Sequence, residues 1–212
     1  MYDQILDSLQ EFDERAFYLF NKLLAYEQLD ASMRFLSGDA LWVLVFLCLF
    51  TMSLFGKFPY FKRYFILILF TVLATDLFCF RFLKPQIARL RPCYQLEDVR
   101  LPGVYCGGYD STPSNHAANS MAFIFSTYLF TRDRRYFWLF FLMIPVGLSR
   151  IYLGAHFPLD IFLGWFIGFL FSPMIFYLLK FFRHQYKKFQ QKFSKIEYEN
   201  KQKSLLEKIE GL

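Results

Sequence analysis

An all-α fold is predicted, a polytopic transmembrane helix bundle of about five spans with an interfacial helix before them, and three features of the sequence predict it. The 212 residues are 56% hydrophobic and 22% aromatic, with 30 Phe, a richer apolar content than soluble domains carry. The apolar residues are clumped: no Asp, Glu, Lys or Arg occurs between Ala40 and Gly56 or between Ile161 and Leu179, and a hydrocarbon core about 30 Å thick calls for helices of about 17–25 apolar residues. The net charge of +6 is spread over turns and a tail rather than one soluble face, which argues against a nucleic-acid binder. The same composition excludes disorder, collagen and a disulfide-stapled mini-protein.

The first segment, residues 1–38, places Ile5, Leu9, Phe12, Ala16, Leu19 and Leu23 at steps of four and three, with Asp3, Asp7, Glu11, Asp13 and Glu14 among them. This is the pattern of an amphipathic helix that lies on a membrane surface, docks on the rest of the protein, or does both. Its acidic start and lack of a cleavage site are not those of a signal peptide. A membrane-embedded domain over 39–180 follows, with spans at about 40–56, 63–83, 114–131, 136–152 and 158–180. Between the second and third spans lies an outward loop, 85–112, in which Pro92, Pro102, Gly103, Gly107 and Gly108 break regular structure. A basic extension, 181–212, closes the chain; its Glu197, Glu199, Glu207 and Glu210 mark it as helical rather than nucleic-acid-binding.

Orientation follows from the short connections, since Lys and Arg near span ends favour the cytoplasm. Lys57, Lys62 and Arg63 mark one turn, Arg132, Arg134 and Arg135 another, and the Lys-rich tail a third, all on one side of a five-span arrangement. The amino terminus and the 85–112 loop then face outward. Cys48 and Cys79 sit inside spans and read as buried small hydrophobes. Cys93 and Cys106 share the outward loop, where an oxidising compartment permits a bridge and a reducing one leaves two thiols.

Charged residues at a span end are functional candidates because hydrocarbon penalises them. Lys84, Arg89 and Arg91 follow the second span, His116 opens the third, Arg150 closes the fourth, and His156 and Asp160 open the fifth. On the inferred topology all of these meet on the outward side. Lys84, Arg91 and Arg150 supply a cationic cluster, and guanidinium forks match phosphate oxygens in geometry. Thr112-Pro113-Ser114 reads as a helix start, with Thr112 as cap and Pro113 first, so that the backbone N–H groups of Ser114 and Asn115 face an anion. His156 and Asp160 stand four apart on one helix face, which lets the carboxylate hold one imidazole nitrogen and free the other. His116 supplies the proton that a departing ester oxygen needs.

Taken singly, each signal has a plainer reading. Lys84 and Arg89 are snorkelling side chains, His116 an interfacial histidine, Asp160 a favourable charge at a helix start, and Asp76 and Arg81 a pair within the second span. The small residues Gly164 and Gly168 below Asp160, and Ala118 and Ala122 on the third span, predict that these two helices touch and bring His116 near His156.

The joint spacing Lys84-x6-Arg91-Pro92, Pro113-Ser114-Asn115-His116 and Ser149-Arg150-x5-His156-x3-Asp160 resembles the three motifs of the type-2 phosphatidic-acid phosphatase superfamily. That family also includes bacterial acid phosphatases and vanadium-dependent haloperoxidases. The likeness spans about 84–160, and Asn115 stands where the family usually carries Gly. Asn tolerates a left-handed backbone better than most residues, so the helix start is expected to survive.

The resemblance implies that His156 is the nucleophile that forms a phosphohistidine, that Asp160 orients it, and that His116 is the general acid. It also implies that Lys84, Arg91, Ser114, Asn115 and Arg150 cradle the phosphate oxygens, a task that metal ions perform in kinases. No metal and no cofactor is therefore expected.

The function so implied is that of a metal-independent integral-membrane lipid phosphatase. Its substrate is a phosphate or diphosphate headgroup of undecaprenyl diphosphate, lipid A 1-phosphate, phosphatidylglycerophosphate or phosphatidate, with the bilayer and no nucleic acid as partner and the oligomeric state open. The expected location is a bacterial inner membrane, multi-pass, with the site facing the periplasm. The alternatives are a lipid phosphotransferase and a non-catalytic lipid-phosphate binder or transporter.

Overall fold

The computed structural model describes residues 2–55, 60–103 and 106–210, with side chains from Gln4 to Gln202. Lys57, used above for orientation, lies outside the described residues. Among the described residues the regular structure is helical, apart from one isolated antiparallel bridge between Leu90 and Asp110. In order these are α1 (Tyr2–Tyr18), which runs into a π-helical turn (Leu19–Leu23), α2 (Glu27–Ser37) and α3 (Asp39–Phe55). Next comes α4 (Tyr60–Leu77), continued by a π-helical stretch (Phe78–Leu83) into α5 (Lys84–Ile87). The loop carries α6 (Pro92–Gln95), then come α7 (Asn115–Thr131), a 3-10 turn (Arg134–Leu139) leading into α8 (Phe140–Tyr152), and α9 (Pro158–Glu210).

All five apolar segments are helical. Tyr60–Ile87 and the stretch Pro158–Gln202 of α9 are each long and apolar enough to cross a membrane, and α2 with α3, bent by 44°, form a third candidate. Exposed aromatics such as Phe70, Phe80, Phe141, Phe162 and Phe166 make an apolar exterior, which a bilayer covers at no cost.

The centre is α7, whose Ala117, Ala118, Ala122 and Ser126 are buried. A methyl group on Gly164 of α9 would stand 2.6 Å from the Ser114 carbonyl oxygen and 3.1 Å from the Ala118 nitrogen, and one on Gly168 would collide with the Ala118 carbonyl. The two helices therefore touch backbone to backbone, as the small-residue rows predict. Residues 158–175 of α9 belong to this body, whereas the helix from Phe176 to Glu210 lies in a second compact unit, held locally by pairs such as Lys195–Glu199 at 3.7 Å.

The amino-terminal helix departs from expectation in an instructive way. The face docked on the protein carries Asp13, Phe17 and Asn21, all fully buried at steps of four. The predicted row of Ile5, Leu9, Phe12 and Leu23 is exposed. Phe17 packs on Phe157, Ile151 and Ile161, and Asn21 donates to the carbonyls of Arg100 (2.9 Å) and Tyr152 (2.8 Å) while accepting from Arg100 N–H at 2.9 Å.

Two further readings need correction. Asp76 does not pair with Arg81: its carboxylate accepts from the amides of Asn115 and Asn119, both at 2.8 Å, and Arg81 lies over the Phe80 ring. Cys79 is fully buried, but Cys48 is exposed, because α3 turns that side outward.

Candidate active site

The loop after the second span carries the cations. Arg91 N–H donates to the Tyr109 carbonyl at 3.1 Å and Ser111 N–H to the Arg89 carbonyl at 2.8 Å, so segments 89–91 and 109–111 run side by side around the Leu90–Asp110 bridge. In such an extended stretch residues two apart share a face, which brings Arg89 and Arg91 together beside Ser111. A Cys93–Cys106 disulfide, Cα to Cα 6.4 Å, closes the same loop. Gly107 (φ +85°) lies against the Arg91 guanidinium, where a Cβ would come within 3.6 Å; the left-handed backbone there favours glycine.

The turn between α8 and α9 carries His156. Gly154 takes φ +76°, and the amides of Ala155 (3.0 Å) and His156 (3.3 Å) donate back to the Arg150 carbonyl. This tight reversal buries His156 to 2% exposure. Pro158 then opens α9, and Asp160, two residues on, reaches back to accept the Phe157 N–H at 2.8 Å, one half of a capping box.

Asp160, itself fully buried, is the hub. One oxygen accepts from Arg89 (3.2 Å) and Thr112 Oγ1; the other accepts from Ser111 Oγ and the Phe157 amide. It lies 3.6 Å from His156 Nδ1, and Ser111 Oγ sits 3.3 Å from the same nitrogen. Arg91 Nη1 donates to His156 Nε2 at 3.4 Å and to the Ala155 carbonyl at 3.3 Å. A donor on Nε2 requires its lone pair, so the ring proton belongs on Nδ1, where Ser111 and Asp160 receive it. Burial above all holds His156 well below the ordinary histidine range; Asp160 opposes this and Arg150 and Arg91 reinforce it. The imidazole is thus neutral near pH 7.

Lys84, Arg91, Arg150, Asn115, His116 and His156 line one cavity of about 240 Å³. Lys84 Nζ donates to the Asp110 carbonyl at 2.9 Å. Arg150 donates to Ser37 Oγ, and the Nε atoms of Arg91 and Arg150 are buried without a protein partner. Buried unpaired N–H groups are costly, so the two guanidiniums hold hydrogen-bonding capacity that no protein group uses. His116 Nε2 stands 3.8 Å from Asp39 Oδ1, and His116 and Asn115 also line an adjoining cavity of about 160 Å³ with Asp39, Trp42 and Asp76.

The helix start differs from expectation. The cap is Ser114 and α7 begins at Asn115; Thr112 and Pro113 precede the helix, because the Thr112 hydroxyl is taken by Asp160. The Ser114 N–H donates to the Asp160 carbonyl at 3.0 Å rather than facing the cavity, and its buried hydroxyl has no protein partner. Arg89, a span-end candidate without an expected role, and Thr112, expected only as a helix cap, both bond Asp160, and Ser111 was not expected at the site at all. The alternation Arg89-Leu90-Arg91 was the available signal for Arg89; Ser111 and Thr112 gave none, being hydroxyls in a loop.

The chain is similar to several known proteins. The chain is 28% identical over 169 residues to a lipid A 4'-phosphatase of Porphyromonas gingivalis, covering 77% of this chain and 71% of the relative. It is 30% identical over 147 residues to phosphatidylglycerophosphatase B of Bacillus subtilis, covering 65% and 67% respectively. Among solved structures, Aquifex aeolicus LpxE superposes with a TM-score of 0.59 at 25% identity, over 76% of this chain and 92% of that one. A transmembrane PAP2-type phosphatidylglycerolphosphate phosphatase from Bacillus subtilis shares the fold, with a TM-score of 0.60 at 19% identity over 82% and 87%. Residues 64–184 match the sequence profile of the PAP2 superfamily, and these residues hold all three motifs and the helices that bring them together: the chain belongs to the PAP2 superfamily.

Proposed function

We propose that the protein is an integral-membrane lipid phosphatase that hydrolyses a lipid phosphate through a phosphohistidine on His156, without a metal. The observation that carries this reading is His156, its Nε2 met by Arg91 at 3.4 Å, on the wall of a cavity that Lys84, Arg91 and Arg150 also line. A phosphate oxygen draws Arg91 off Nε2 and frees its lone pair. Nε2 attacks phosphorus as the bond to the ester oxygen breaks, and Asp160, through Ser111 and by charge, stabilises the positive ring that forms. His116 gives its proton to the departing oxygen. It then takes one from a water that attacks the phosphohistidine, which releases inorganic phosphate and restores the imidazole. Lys84, Arg91 and Arg150 balance the charge gathering on the equatorial oxygens.

The names of the relatives favour a lipid A phosphate or phosphatidylglycerophosphate over a diphosphate-linked polyprenol. The cavity beyond His116, whose lining mixes Asp39 and Asp76 with Trp42, Phe46 and Val72, gives the leaving group a place to lie. The Lys and Arg of the short connections and the tail support a site on the periplasmic side of a bacterial inner membrane, with the carboxyl terminus in the cytoplasm.

The test is phosphate release from a panel of lipid phosphates by the purified protein and by His156→Ala. Release by the parent, unaffected by chelator, inhibited by vanadate and lost in the variant, is expected. No release from any lipid leaves a non-catalytic binder. Transfer to an added alcohol in place of water marks a phosphotransferase, and undiminished release by the variant removes His156 as nucleophile.

A further inference from the structure

The mechanism above leaves a buried pair of charges unused. Asp13, on the amino-terminal helix, is fully buried; its Oδ2 accepts from Arg89 Nη2 at 2.7 Å and its Oδ1 from the Leu159 N–H at 2.8 Å. The other fork of Arg89, Nη1, donates to Asp160 at 3.2 Å, and the guanidinium lies 4.0 Å over the Phe157 ring. One arginine therefore spans two buried carboxylates, and it contacts the residue between the nucleophile and the start of α9.

We propose that Asp13 and Arg89 form a positioning pair that holds Asp160, and through it His156, in the attacking orientation, so that the amino-terminal helix is a working part of the active site. Asp13 acts at two points. Its carboxylate fixes the first turn of α9, which carries Asp160, in the manner of a cap. It also anchors Arg89 in a fork geometry that a single carboxylate does not fix. Neither residue touches the cavity that would hold substrate.

The pair sets charge as well as position. Arg89 faces Asp160 and Asp13; Lys84, Arg91 and His156 face Asp160 from the loop and turn, and Arg91 and Arg150 face His156. Removing the Arg89 charge leaves the Asp160 carboxylate less compensated and makes the adjacent imidazole more basic. Removing the Asp13 charge leaves Arg89 unshared beside Asp160 and makes the imidazole less basic.

The inference rests on the phosphohistidine reading above, and its test separates the two. Lipid-phosphate hydrolysis is measured against pH for the full-length protein, Asp13→Asn, Arg89→Gln and the double variant. Each single variant should lower kcat about 10-fold or more with KM nearly unchanged. The acid limb of kcat/KM should rise in pH for Arg89→Gln and fall for Asp13→Asn, each by ~0.5 unit or more, and return toward the parental position in the double variant. A merely structural role would lower the amount of folded enzyme without moving the limb, and any pattern other than opposite shifts with restoration overturns the proposal. Should a variant not accumulate in folded form, Arg89→Lys, which keeps the charge and loses the fork, must lower kcat several-fold without moving the limb; parental kcat there overturns it as well. Failure of the underlying function reads differently: the parent protein releases no phosphate, or His156→Ala still does, and the inference falls with it.

Discussion

Asp160 Oδ2 lies 3.6 Å from His156 Nδ1, and the Ser111 hydroxyl bonds to that oxygen while sitting 3.3 Å from that nitrogen. The carboxylate thus holds the ring partly through a hydroxyl. Ser111→Ala should lower kcat about 10-fold, because the ring loses one of the two groups that fix its tautomer, with KM little changed. Steady-state rates on a lipid phosphate check this, and a parental kcat would show that Asp160 suffices alone.

The pH dependence follows from the burial of His156. Its proton affinity is held well below the ordinary value, so the nucleophile is neutral above that lowered value and is lost only as pH falls through it. The acid limb of kcat/KM should therefore lie below about 6.5. A limb at or above that value in the parent protein would contradict the burial argument.

Arg150 lines the cavity, and its Nη1 donates to Ser37 Oγ. Arg150→Lys keeps the charge and loses the fork, so KM should rise about 10-fold and vanadate inhibition should weaken in parallel. Equal KM with either residue would mean that charge alone binds the phosphate.

The contact of α7 with α9 has no room for a side chain at Gly168, whose added methyl would meet the Ala118 carbonyl and stand 2.8 Å from the Ala122 nitrogen. Gly168→Ala should destabilise the protein by about 1–3 kcal/mol and lower its thermal midpoint in detergent. An unchanged midpoint would show that the helices separate freely.

The Cys93–Cys106 bridge closes the loop that carries Arg91. In protein unfolded without reductant, a maleimide should label Cys48 and Cys79 only; modification of Cys93 and Cys106 would rule the bridge out.

The sequence carried the helices and the motif residues well, and for a common reason. Long apolar runs and charges in a hydrocarbon setting are both costly to place otherwise, so Lys84, Arg91, Arg150, His116 and His156 stood out and do line one cavity. What escaped notice depends on which groups satisfy one another in three dimensions. Thr112 looked like a helix cap but bonds Asp160, and Asp76 looked like a partner of Arg81 but holds two asparagines. Asp13 was counted among the polar residues of an amphipathic helix, yet it is buried against Arg89. Hydrophobic periodicity reports the apolar row of a helix, and here the docked face is a different row.

The hydrogen bond from Leu159 to Asp13 joins groups 146 residues apart, and this fixes an order of events during biosynthesis. Asp13 leaves the ribosome 146 residues before its partner, which follows only after α8 has been made. Through that interval the amino-terminal helix has its exposed apolar row, and nothing of the turn that will bury Asp13. Until then the nascent chain can hold neither Arg89 nor the start of α9 in working position, so the site is completed in one late step, once the start of α9 has been made.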